Sequence, residues 1–203
     1  MAIWIAFEGG EATGKSTQAA LLAKRLGAVL TREPGGTGVG ERVRALLLDP
    51  SVVGLDSRAE TLLMAADRAQ HLVEIVGPAL SAGRDVVSDR SGYSSIAYQG
   101  FGRGVGADEV ARISSWATDG RWPDLVVLLD VSDEVRAARL ATERPADRLE
   151  QAGDAFHRRV RDAFRAMAAA DMQRWVVVDG DGSVDDVARS IADAVDEWVA
   201  SRG

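Results

Sequence analysis

An apolar run, Ile3 to Phe7, breaks into Gly9-Gly10-Glu11-Ala12-Thr13-Gly14 and continues as Lys15-Ser16-Thr17. No other stretch restricts the fold as tightly. A glycine, four residues, then Gly14-Lys15-Ser16 is the spacing of a phosphate-binding loop. In such a loop the backbone N–H groups from Gly9 to Thr17 wrap an anion, the lysine reaches its outer oxygens and the serine hydroxyl takes a Mg²⁺ ion. Glycine is needed where the backbone must approach the anion at φ values closed to other residues. The helix that follows aims its positive end at the same point. Lys15 to Leu26 supplies that helix, with Ala19, Leu22, Ala23 and Leu26 on one face, so the loop stands between a strand and a helix. Of 24 lysines and arginines only Lys15 and Lys24 are lysines. That one of them stands here suits a compact ammonium among crowded phosphates better than a guanidinium fork.

Periodicity along the rest of the chain alternates strand and helix. Ala28 to Thr31 is predicted as a second strand, closed by the loop Arg32-Glu33-Pro34-Gly35-Gly36-Thr37. Gly40 to Leu48 is helical and ends at Asp49-Pro50. A capping box of Ser57 and Glu60 opens the longest helix, whose apolar positions Leu62, Leu63, Ala66, Ala69, Leu72, Val73 and Val76 run towards Ala82, with a bend expected near Pro78. Asp85 to Ser88 is a short strand ending in Asp89-Arg90. A carboxylate at a strand's C-terminal end, in a chain with a phosphate loop, has the place of a Mg²⁺ partner. Tyr93 to Gln99 and a glycine-broken stretch follow, then a helix over Ala107 to about Thr118, an apolar strand Leu125 to Val131 and a helix capped by Ser132. The polar stretch Thr142 to Gly153 reads as a mobile connection. Ala155 to Ala170 is helical, Trp175 to Val178 is the fifth strand, and Ser183 with Asp186 opens the last helix, to about Ala200. This order predicts an α/β fold over residues 1–203: one domain with a five-stranded parallel sheet, helices on both faces and the ligand at the strands' C-terminal ends.

A net charge of −7 argues against nucleic-acid and membrane partners, so an anionic ligand must be met by local arginines. The chain has no cysteine, and it starts with neither a basic leader nor an apolar run of membrane-spanning length. A cytoplasmic protein is expected.

The segments FEGGEATGKST, TREPGGT, AADRAQH, DRSGYSSIAYQG, RWPDLVVLLDV and DRLE together resemble the thymidylate kinase family over nearly the whole chain. The resemblance implies a P-loop kinase fold, Mg²⁺ as cofactor and ATP and dTMP as substrates. Arg32 and Arg44 then hold the acceptor phosphate, Arg68 meets the thymine edge, and Ser94, Ser95 and Gln99 line the acceptor pocket. Glu11 approaches the sugar 3′-hydroxyl. Arg90 stands between donor and acceptor, and Ser16 and Asp89 serve the metal. Residues 142 to 153 become a lid. Since Gly10 to Thr13 carry no positive charge, Arg144 and Arg148 of the lid are the arginines expected to close over the donor phosphates. Met64 departs from the pattern, which has phenylalanine there to stack on the base. A thioether still packs on a ring face. His71 and His157 receive no role, and a homodimer through the helices is implied. Two rivals are another P-loop nucleotide or nucleoside kinase and a catalytically silent nucleotide-binding paralogue.

Overall fold

In the computed structural model of the chain, residues 2–141 and 147–202 are described. Five short strands, β1 Trp4–Glu8, β2 Val29–Arg32, β3 Val86–Asp89, β4 Leu125–Asp130 and β5 Trp175–Asp179, pair in parallel in the order β2-β3-β1-β4-β5. The sheet is the one expected. β1 lies between β3 and β4, with Phe7 in register with Asp89 on one side and Val127 on the other. The loops after β1 and β3 therefore leave the sheet side by side, where the strand order reverses and a crevice opens.

Helices cover both faces, and strand alternation assigns residues to each. Ile5, Phe7, Val87 and Val127 join Ala19 and Leu22 of α1 (Lys15–Leu26) with Ile191, Val195 and Trp198 of α9 (Val184–Ala200). Val126 and Leu128 face the other way, onto Phe156, Val160 and Phe164 of α8 (Asp154–Ala170). α2 (Gly38–Leu48), α3 (Ser57–His71), α5 (Gly92–Ser95), α6 (Ala107–Ala117) and α7 (Asp133–Leu140) complete the layers.

Three local expectations are corrected. Asp56, rather than Ser57, caps α3 by accepting from the N–H groups of Arg58 and Ala59, and Glu60 turns inward instead of back to the cap. The irregularity expected at Pro78 falls earlier. A π turn, Leu72–Val76, joins α3 to α4 (Gly77–Ser81), with the Gly77 N–H reaching back to the Leu72 carbonyl, so proline enters where its missing N–H costs little. A second π turn, Ile96–Gly102, extends α5. The stretch after residue 146 is also less loose than its polarity predicts. Leu149 is buried with Leu47 and Met64, and a 3₁₀ turn spans Glu150–Ala152.

Candidate active site

At the crevice the phosphate loop shows why it needs its glycines. Gly9 has φ 141° and passes so close to β4 that a Cβ there would lie 2.6 Å from the Leu129 carbonyl oxygen, while Gly14 at φ 87° turns the chain into α1. The Lys15 ammonium donates to the Gly10 carbonyl and, at 3.1 Å, to Thr13 Oγ1. Burial, helped by the nearby Arg90 charge and opposed by Asp89, Glu8 and Glu11, pushes it down to about 7. A polyanion arriving at the loop restores the charge that burial disfavours.

The loop after β3 is built on a carboxylate that sequence reasoning passed over. Glu8, fully buried at the end of β1, accepts from the backbone N–H and hydroxyl of Ser91 at 2.9 and 2.7 Å and from both of those groups of Ser94. Its only sequence signal was an acid closing an apolar strand. This hub fixes the turn in which Arg90 takes φ 76°, a left-handed conformation that costs about 1 kcal/mol or more for a non-glycine residue. The guanidinium is thereby held across the crevice, donating to the Gly9 carbonyl at 3.2 Å, Ser94 Oγ at 3.1 Å and Tyr98 Oη at 3.2 Å. Beside it Ser16 donates to Asp89 Oδ2, and Asp89 Oδ1 is buried without a partner among the described residues.

The second half of the crevice lies towards α3. Arg68, 3% exposed, donates to Glu33 at 2.9 Å and to Ser95 and Ser114 at 2.9 and 3.1 Å. Glu33, which follows β2, also bonds His71 Nδ1 at 2.8 Å, and His71 Nε2 meets Thr31 Oγ1 at 2.6 Å. Burial pushes the Glu33 carboxyl up, but Arg68 and His71 outweigh it and hold it below the usual range. His71 is thus a packed helix residue. Arg44 donates to the Pro34 carbonyl, and the half-exposed Arg32 pairs with Glu41. Glu11 lies 3.7 Å from His157 Nδ1, and burial lifts its carboxyl above the ordinary value although His157 and Arg90 oppose this.

A cavity of about 400 Å³ joins the two halves. Glu11 to Thr17, Arg32, Arg44, Met64, Arg68, Asp89, Arg90, Ser94, Ser95 and Gln99 all line it, so nearly every site residue expected from sequence converges. Arg148 does not. Its guanidinium pairs with Glu60 at 2.7 Å and its Nε donates to the Leu47 carbonyl at 2.8 Å, which ties the stretch before α8 to α2 and α3. The expectation that Arg148 closes over the donor phosphates is not met in this conformation, because a buried carboxylate on α3 holds the side chain. Arg144 lies outside the described residues. Glu8, Glu33, Glu60 and Tyr98 are the site-building residues that the sequence reading missed.

A phosphate loop facing a strand-end Asp-Arg pair, with an arginine-lined pocket beyond it, defines a P-loop nucleotide kinase, an enzyme of phosphoryl transfer. The comparisons narrow the class. The chain belongs to the thymidylate kinase family, whose model, described as "Thymidylate kinase", matches residues 7–191. The thymidylate kinase of Halothermothrix orenii is 45% identical over 197 residues, 93% of this chain and 94% of that one. That of a Synechococcus strain is 47% identical over 196 residues, 93% of each. The crystal structure of thymidylate kinase from Ehrlichia chaffeensis superposes with a TM-score of 0.79 at 33% identity, covering 96% of this chain and 98% of that one.

Proposed function

We infer that the chain transfers the γ-phosphate of ATP to dTMP, giving ADP and dTDP. The observation that carries this reading is the single cavity in which Arg90 stands between the phosphate loop and the Arg68 pocket. Phosphoryl transfer asks little covalent chemistry of a protein. It asks for positioning and for positive charge where negative charge develops. In this reading the loop and Lys15 hold the donor, Arg32 and Arg44 the acceptor phosphate, and Arg90 the moving group. Arg68, Ser95 and Gln99 take the base edge, Met64 its face, and Glu11 the sugar.

Mg²⁺ fits the residues present. Among the described residues no cluster of three His, Cys, Asp or Glu forms a protein-only metal cage. The unpartnered Asp89 Oδ1 beside the Ser16 hydroxyl instead suits an ion that keeps waters and takes its remaining ligands from phosphates. Such an ion neutralises donor charge.

Residues 142 to 153 act as the lid of the one domain, with Arg144 as its arginine towards the donor. A homodimer is supported by an apolar groove between α3 and α6, lined by Leu62, Ala66, Ala69, Ile113 and Trp116, the last 86% exposed. The absence of cysteine accords with the cytoplasm.

The test is a coupled ADP-release assay over a panel of nucleoside monophosphates. Turnover highest with dTMP is expected. Preference for another acceptor would favour the rival nucleotide-kinase reading, and no turnover with any acceptor would favour a silent nucleotide-binding protein.

A further inference from the structure

Gln99 is fully buried, lines the cavity and is half satisfied. Its Nε2 donates to Glu60 Oε1 at 2.9 Å, while its Oε1 has no hydrogen-bond partner among the described residues. The amide cannot turn over. Glu60, 1% exposed, is a carboxylate and therefore accepts only, so the atom facing it must be the NH₂ group. Burial works to lift the Glu60 carboxyl, but bonds from Gln99, Arg103 and Arg148 outweigh it and hold it below the usual range. It stays ionised at neutral pH. A buried acceptor left bare is costly, and a ligand that brings a donor recovers that cost.

We propose that Glu60 is a specificity-determining, positioning residue: by fixing the Gln99 amide it leaves a carbonyl oxygen for the acceptor base and selects pyrimidines with an N3–H donor over aminopyrimidines, whose N3 is an acceptor. This rests on the reading of the cavity as a pyrimidine monophosphate site. Arg68, committed to Glu33, Ser95 and Ser114, presents donors only and suits a ring carbonyl. Neither the donor-only Arg68 nor a Gln99 whose unpaired polar atom is its carbonyl oxygen accommodates both the 4-amino group and the bare N3 of cytosine. A site whose buried polar groups a ligand leaves unpaired rejects that ligand strongly.

The experiment compares kcat/KM for dTMP, dUMP and dCMP in the wild type, Glu60→Gln, Glu60→Asp, Gln99→Ala and the double variant of Glu60→Gln with Gln99→Ala. A glutamine at 60 can itself donate, which frees the Gln99 amide to turn. The dTMP:dCMP ratio is expected to fall at least tenfold in Glu60→Gln, with dUMP following dTMP. Glu60→Asp keeps the charge that Arg103 and Arg148 need for folding but falls one methylene short of Gln99, and should narrow the ratio in the same direction. In the Gln99→Ala background the Glu60→Gln effect should shrink below twofold. A ratio unchanged within twofold in either folded single variant overturns the proposal, as does narrowing that persists without Gln99. A general packing defect would lower all three substrates together and leave the ratio intact. If the wild type itself fails with dTMP and dUMP, the pyrimidine-site reading falls instead.

Discussion

Replacing Arg148 by alanine separates anchoring from catalysis. The guanidinium lies 2.7 Å from Glu60, whose side chain is 1% exposed, and the Nε bond to Leu47 adds a second tie. Breaking a buried ion pair from one side costs about 3–5 kcal/mol, because a charge is left uncompensated. Arg103, at 3.2 Å from the same carboxylate, remains as a counter-charge, which places the loss at the low end, about 3 kcal/mol. For a chain of about 200 residues each kcal/mol moves Tm by roughly 2–4 °C, so Arg148→Ala should melt about 6–12 °C below the wild type without ligand. Since the side chain lies outside the cavity, kcat at a temperature where both proteins are folded should fall less than tenfold. Calorimetry on the ligand-free protein decides the first point and steady-state kinetics the second. A Tm within 2 °C of wild type, joined to a kcat loss of a hundredfold, would refute the anchoring argument and return Arg148 to the donor phosphates.

Lys15→Ala should cut turnover by about 10²–10³, the scale of removing one oriented donor of positive charge, with the fold kept, since among the described residues its side-chain bonds reach only Gly10 and Thr13; circular dichroism beside the kinetic assay checks both. Met64 packs with Leu47 and Leu149 while lining the cavity, so Met64→Ala loses ~1.5–3 kcal/mol of apolar contact and should raise the KM for dTMP about 10- to 100-fold, whereas Met64→Phe should stay within tenfold. An unaltered KM in Met64→Ala would make the residue core packing alone. Asp67 accepts the Gly35 N–H at 2.8 Å, and burial pushes its carboxyl up to about 6 from 3.8. The folded chain thus holds this proton more tightly than the unfolded chain, and the corresponding stability, present below about pH 4, is lost as pH rises towards 6. Asp67→Asn keeps an acceptor for Gly35 and removes the charge, so it should stabilise the protein by up to about 3 kcal/mol at pH 7.5 and by little at pH 4. Urea unfolding at the two pH values tests this, and equal shifts at both would refute it.

Much of the site was legible because its chemistry is tied to local spacing. The phosphate loop is one contiguous stretch whose glycines, lysine and serine each answer a backbone or phosphate requirement. Strand periodicity then placed Asp89 at the end of β3, next to that loop. Element ends were legible where a side chain closes its own turn, as Ser132 and Ser183 do by accepting from Val135 and Asp186. At α3 two such residues stand in succession, and the cap went to Asp56, whose carboxylate takes two N–H groups. Periodicity also could not foresee the π turns at Leu72–Val76 and Ile96–Gly102, each of which inserts a residue and rotates the face that follows.

What stayed illegible is the set of buried acids, and the reason is physical. Glu8, Glu33 and Glu60 sit in strand, loop and helix with nothing local to mark them as interior, and an isolated glutamate is expected outside. Each is buried only because partners remote in sequence neutralise or bond it: Ser91 and Ser94 for Glu8, Arg68 and His71 for Glu33, Gln99, Arg103 and Arg148 for Glu60. Together these three carboxylates orient Ser94, Arg68 and Gln99, three side chains that line the cavity. They also explain why Arg148 lies outside the cavity in this structure. Sequence spacing around a polar stretch points to phosphate or solvent, while the buried Glu60 on α3 competes for the same guanidinium. A carboxylate already desolvated inside the fold gains more from a guanidinium than solvent-exposed charges do, and the 2.7 Å pair of Arg148 with Glu60 is that gain.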